Sequence, residues 1–207
     1  MKYNAIIEVI KMLISIVGKS GSGKSTIAKT LKEFDERVLH VDIDDISHQV
    51  LEFPDVQEKL KTGFCPSVVM DHEVQRQVLG RIVFASPEQM DVLTNITWSH
   101  MERIIDQIIE ANSDKIILLD WLLIPKTKYF EQSDLKIWVD APYVDRLERV
   151  VKRSIKEQSI TPDYFAKRDN AGIDYEEGKY DIVINNINKE KTQNEVKNIY
   201  EKSILCG

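Results

Sequence analysis

The sequence predicts an α/β fold: a doubly wound parallel sheet of five strands, with a helical insertion between strands 2 and 3 and a lid near the chain's end. Three observations predict it. Five short apolar runs lack polar–apolar alternation, as strands covered on both faces do. Stretches of helical periodicity separate them. A glycine-rich phosphate-binding pattern sits between the first run and the first helix.

The first run is Leu13-Ile14-Ser15-Ile16-Val17, and the loop Gly18-Lys19-Ser20-Gly21-Ser22-Gly23-Lys24-Ser25 follows at once. It matches G-x-x-x-x-G-K-[ST], with Thr26 after it, which makes the expected fold P-loop NTPase-type. Glycine suits this loop because backbone N–H groups must wrap the phosphates without obstruction by side chains. The helix that follows aims its positive end at the anion. Gly18, Gly21, Ser22, Gly23, Lys24, Ser25 and Thr26 are therefore the expected nucleotide-binding residues. Lys24 is expected to reach the β- and γ-phosphates, and the Ser25 hydroxyl to sit on Mg²⁺.

The second run, Val38-Leu39-His40-Val41, ends in Asp42, Asp44 and Asp45. Ligands of open α/β sheets bind at the carboxyl ends of strands, so a base for an acceptor hydroxyl is expected here: Asp44 first, Asp42 second. The interval from about 45 to 114 is far longer than an ordinary crossover. It reads as helical, with apolar spacing over 72–83 and a second helix starting at Pro87-Glu88. The third run, Ile116-Ile117-Leu118-Leu119, ends in Asp120, the expected Mg²⁺-orienting carboxylate. The fourth run, Leu135-Lys136-Ile137-Trp138-Val139, leads into a helix over 143–158 that places Arg146, Arg149 and Arg153 on one face. With Arg168 further on, expected to bind the nucleotide as well, that face fits a lid closing over a transferring phosphoryl group, giving Arg149 and Arg153 a catalytic role. The last run, Asp181-Ile182-Val183-Ile184, precedes a closing helix over 189–204.

Composition narrows the function classes. A formal net charge of −6 over 207 residues argues against bulk nucleic-acid binding. No apolar run is long enough to span a bilayer. Cys65 and Cys206 stand far apart, and the histidines lack zinc-ligand spacing, so a reducing, cytoplasmic setting without a disulfide or transition metal is expected. Residues 1–11 read as an extension ahead of one kinase domain over 12–207, with a core of 12–44 and 115–207 and a lid at about 153–175. Asp169-Asn170-Ala171-Gly172 fits D-x-x-G, but it follows a helix rather than a strand and is read as a chance match to a GTPase motif. The oligomeric state is left open.

The chain from Ile14 to about Asn186 resembles the dephospho-coenzyme A kinase family. The P-loop carries part of the likeness, as does Asp42-Ile43-Asp44-Asp45-Ile46-Ser47-His48. The most specific stretch runs over 74–88, with Arg76, Leu79, Gly80, Phe84 and Pro87-Glu88, and Leu93-Thr94-Asn95 continues it. Asp120-Trp121-Leu122-Leu123, Val139-Asp140-Ala141-Pro142, Arg149, Arg153, Arg168 and Asn185-Asn186 complete it. The resemblance implies ATP-dependent phosphorylation of the ribose 3′-hydroxyl of dephospho-coenzyme A, with Asp44 at that hydroxyl. It makes the insertion the acceptor-binding region, with Asp42, Arg76 and Trp121 on the acceptor side. The chain departs from the family pattern at Lys19, His48, Trp98-Ser99, Trp121, Pro125 and Gly172, mostly on that side. A nucleoside or nucleoside-monophosphate kinase, and a non-catalytic nucleotide-binding protein, are the alternatives to this reading.

Overall fold

Each of the five apolar runs forms a strand covered on both faces, which is why none alternates. The structure, a computed structural model, describes residues 12–154, 161–170 and 172–205. In chain order its elements are β1 (Met12–Val17), α1 (Lys24–Phe34), β2 (Val38–Asp42), α2 (Ile43–Val50), α3 (Pro54–Gly63), β3 (Val69–Met70) and β4 (Glu73–Val74). Then come α4 (Arg76–Val83), α5 (Pro87–Ala111), β5 (Ile116–Asp120), α6 (Lys128–Gln132), β6 (Leu135–Asp140), α7 (Tyr143–Ser154), α8 (Pro162–Asn170), β7 (Ile182–Asn185) and α9 (Lys189–Ile199).

The main sheet has the order β2-β5-β1-β6-β7, and every pairing is parallel. Side chains of successive strand residues point to opposite faces, so each strand feeds two cores. Ile14, Ile16, Ile116, Leu118, Ile137 and Val139 pack with Ile27 and Leu31 of α1 and Val196 of α9. Ile117, Leu119, Val17 and Trp138 face the other way, toward residues of α2, α3, α4, α5 and α6. The stretch between β2 and β5 thus lies on one side of the sheet.

That stretch holds one departure from the expected helices. The helical spacing predicted over 72–83 begins only at Arg76. Before it, β3 and β4 form a small antiparallel hairpin in which Val69 pairs with Val74. The turn needs left-handed backbone, and Asp71 and His72 supply it with φ of 50° and 63°. Val74, counted toward a helical stripe in the sequence, is instead a buried strand residue. At the other end, the closing helix is α-helical to Ile199, and a π-helical turn over Tyr200–Ile204 finishes it. The expected extension 1–11, the helix predicted beyond Ser154 over 155–158, lid residues 155–160 and 171, and Cys206 lie outside the described residues.

Candidate active site

β1 occupies the middle of the sheet, with β5 and β6 on its two sides. The loop leaving its carboxyl end therefore opens at a topological switch point, where open α/β sheets bind ligands. The turn requires glycine at two places. Gly21 has φ of 80°, and Gly23, the N-cap of α1, has φ of 104° and offers no side-chain cap. A Cβ on Gly23 would lie 2.0 Å from Asn186 Nδ2. The amides of Lys24 and Ser25 thus open α1 without a side-chain cap, placed to meet an anion, while Thr26 N donates to Gly23 O at 3.0 Å.

The loop is held from behind. Arg149 on α7 donates to Gly21 O (3.2 Å) and Ser22 O (3.3 Å) through Nη1, and to Asn186 O (2.9 Å) through Nη2. Asn186, just past β7, donates from Nδ2 to Ser22 O at 2.7 Å. In a trans peptide the C=O and the next N–H point opposite ways. Holding Ser22 O on the outer side therefore turns Gly23 N–H inward. Ser22 itself is fully buried, and its Oγ is the orphan polar side-chain atom among the described residues.

Lys24 Nζ donates to Gly18 O at 3.0 Å and lies 3.6 Å from Asp120 Oδ1. Ser25 Oγ donates to Asp120 Oδ2 at 3.3 Å. His40 Nε2, on the neighbouring β2, is 3.1 Å from the same oxygen. Asp120 is 3% exposed, and these three side chains supply the partners of its buried carboxylate. Asp42 sits opposite Asp120 in the β2–β5 register. Burial, and then the nearby carboxylates of Asp120, Asp44 and Asp45, push Asp42 above the usual carboxylate range. Asp42 also caps α2 by accepting from Asp44 N at 3.0 Å. Asp44 follows in the first turn of α2, exposed, with Oδ1 accepting the Trp121 indole N–H at 3.0 Å.

A hydroxyl and a carboxylate are hard oxygen donors of the kind Mg²⁺ takes beside substrate phosphates. Ser25 and Asp120 fit that ion. Among the described residues no group of three His, Cys, Asp or Glu side chains forms a metal cage, and Mg²⁺ held with phosphates does not need one.

The structure brings Gly18, Gly21, Ser22, Gly23, Lys24, Ser25, Asp42, Asp44, Asp120 and Trp121 to one end of the sheet. Thr26 is exposed on the first turn of α1. Arg153 is exposed near the end of α7. The Arg168 guanidinium lies over the ring of Phe84, in the segment between β2 and β5, 5.8 Å from its centroid. Arg76 pairs with Glu52 at 3.3 Å at the start of α4. Two contributors escape sequence reasoning. His40 reads as a strand residue and gains its partner only through the β2–β5 pairing. Asn186 carries no local motif for gripping a loop 164 residues away.

A model of the dephospho-CoA kinase family matches residues 12–191. The chain belongs to the dephospho-CoA kinase family. It is therefore a kinase, a phosphotransferase of coenzyme A biosynthesis. The dephospho-CoA kinase of Aquifex aeolicus is 31% identical over 195 residues, covering 91% of this chain and 96% of that one. That of Dehalococcoides mccartyi is 28% identical over 181 residues, 84% of this chain and 88% of its own. A crystal structure of TT1252 from Thermus thermophilus superposes with a TM-score of 0.76 at 24% identity, covering 93% of this chain and 97% of that one, and shows the same fold.

Proposed function

We propose that this kinase transfers the γ-phosphoryl group of ATP, with Mg²⁺, to the ribose 3′-hydroxyl of dephospho-coenzyme A, and that it works in the cytoplasm. The observation that carries the reading is the meeting of residues 18–25 with Asp120 and the Asp42–Asp44 pair at adjoining strand ends. Phosphoryl transfer asks the protein mainly for positioning and charge stabilisation, and the residues divide along those lines.

Backbone amides of residues 18–26 cradle the phosphates, and Lys24 swings from Gly18 O to the β- and γ-phosphate oxygens. Ser25 and Asp120 would hold Mg²⁺, which would supply charge neutralisation to the phosphates. Asp44 takes the proton of the acceptor hydroxyl, because its exposed carboxylate lies on the open side of the strand tips. Asp42 orients that side, and it is lined by Arg76, within an acceptor-binding insertion of about 45–114, and by Trp121, just past β5. Arg149 acts through the loop carbonyls it already holds. Arg153 and Arg168 belong to a lid of about 153–175 that closes over the phosphates.

A coupled ADP-release assay across dephospho-coenzyme A, nucleosides and nucleoside monophosphates tests the acceptor. Turnover restricted to dephospho-coenzyme A is the expected result. Preference for a nucleoside or a nucleoside monophosphate overturns the acceptor, and ATP binding without turnover on any of them overturns catalysis.

A further inference from the structure

Asp44 is exposed, so nothing in its surroundings packs its carboxylate into one orientation. Its polar groups are nonetheless almost all engaged. Its N–H goes to Asp42 Oδ1 at 3.0 Å, its C=O accepts from Ser47 Oγ at 2.7 Å, and Oδ1 accepts from Trp121 Nε1 at 3.0 Å. Oδ2 receives no hydrogen bond among the described residues. The donor on Oδ1 is itself rigidly mounted. Trp121 directly follows β5, and its N–H continues the ladder to Ile16 O at 3.4 Å. Its indole lies parallel to that of Trp98 on α5, with ring centroids 6.1 Å apart and planes 5° apart. Trp98 in turn meets Tyr129 edge-on at 6.4 Å, and the Tyr129 hydroxyl shares its one proton between Asp106 Oδ1 at 2.8 Å and Glu102 O at 3.1 Å. Burial raises the Tyr129 phenol well above its ordinary range, so that anchor stays protonated.

We propose that Trp121, braced by Trp98, is a positioning residue for phosphoryl transfer: its indole N–H pins one oxygen of Asp44 and leaves the other to take the acceptor hydroxyl's proton. This inference rests on the assignment of Asp44 made above. A neutral donor suits the task. It orders a surface carboxylate without adding a positive charge, which would make that carboxylate a weaker base toward the incoming hydroxyl. An aromatic ring fixed by a parallel neighbour also loses little rotamer freedom when the substrate arrives. The indole thus does more than form a wall on the acceptor side.

The test is a double-mutant cycle between Trp121→Phe, which keeps the ring and removes the N–H, and Asp44→Asn. It uses ATP with whichever acceptor the panel above turns over. Trp121→Phe is expected to lower kcat roughly ten- to hundredfold, with both KM values within about twofold, as misplacement of a reacting group does. In the Asp44→Asn background the same change is expected to cost nothing further. Trp98→Leu, which keeps the indole N–H but removes its brace, is expected to show a smaller kcat loss that also vanishes with Asn at position 44. Independently of activity, the Trp121 indole N–H proton resonance is expected to move in Asp44→Ala while that of Trp138 does not. Normal kcat in Trp121→Phe, a change confined to acceptor KM, or an equal loss in the Asp44→Asn background overturns the positioning role alone. Near-normal turnover in Asp44→Asn overturns the assignment of Asp44, and this inference with it.

Discussion

Arg146 on α7 grips Asp169 on α8 with both terminal guanidinium nitrogens, Nη1 to Oδ1 and Nη2 to Oδ2, the latter at 3.1 Å. Both side chains are 7% exposed. The same guanidinium donates to Ala141 O at 3.0 Å and to Ser20 O at 3.4 Å, so it ties α7, α8 and the P-loop together. Arg146 shares a sequence face with Arg149 and Arg153, yet it is consumed as a structural strut. Removing one partner strands a buried charge. Arg146→Ala and Asp169→Ala are each expected to cost about 3–5 kcal/mol in urea unfolding, and the double variant less than the sum.

Lys24 has the opposite character. Its amine meets one loop carbonyl, Gly18 O, and Asp120, which retains Ser25 and His40 without it. Lys24→Ala is therefore expected to leave the melting temperature within a few degrees while lowering kcat about 10²- to 10³-fold, as loss of one charge-stabilising donor does. Calorimetry and steady-state kinetics on the same sample separate the two effects.

Gly23→Ala combines two penalties at the loop. The added Cβ would stand 2.0 Å from Asn186 Nδ2, which donates to Ser22 O, and φ of 104° is a strained conformation for alanine. A stability loss of about 1–3 kcal/mol is expected, with weaker ATP binding by titration calorimetry. Unchanged ATP affinity would mean that the Asn186 grip does not shape the phosphate nest.

Away from the site, Asp35 joins the first and last parts of the described chain. It accepts from Arg37 Nε and Nη2 and from the Tyr200 hydroxyl at 3.1 Å. The Arg37 side-chain hydrogen bonds are the largest cause holding Asp35 below the ordinary carboxylate value of 3.8. A carboxylate with a depressed folded pKa stabilises the fold above its unfolded value, and loses that contribution as pH falls through the folded one. Asp35→Ala is expected to destabilise by about 1–3 kcal/mol at pH 7. The difference from the unsubstituted chain is expected to shrink steadily below pH 3.8 in pH-dependent urea unfolding.

Much of the site was legible because it is local. The P-loop needs consecutive residues between a strand and a helix, and Gly18 to Ser25 stand in that order. Asp42 and Asp120 are strand-end residues, Asp44 follows two residues after the first, and strand ends are marked by where apolar runs stop. The hairpin at Val69 and Val74 was not legible, because Val74 fits a helical stripe and a two-residue strand equally well. Only the packing of the segment between β2 and β5 chose between them. Trp98 and Trp121 mark separate departures from the family pattern, yet their rings lie parallel, 6.1 Å apart, in the fold.

The sequence by itself determined the sheet, the loop and the identity of the carboxylates, since short-range periodicity and backbone chemistry specify all of them. Only the tertiary structure decided which side chain meets which. It turned Arg146 inward to Asp169, set His40 and Ser25 on Asp120, and aimed the Trp121 indole at Asp44. Those contacts join residues between 23 and 95 positions apart. Their geometry follows from strand register and helix packing, which no local pattern encodes.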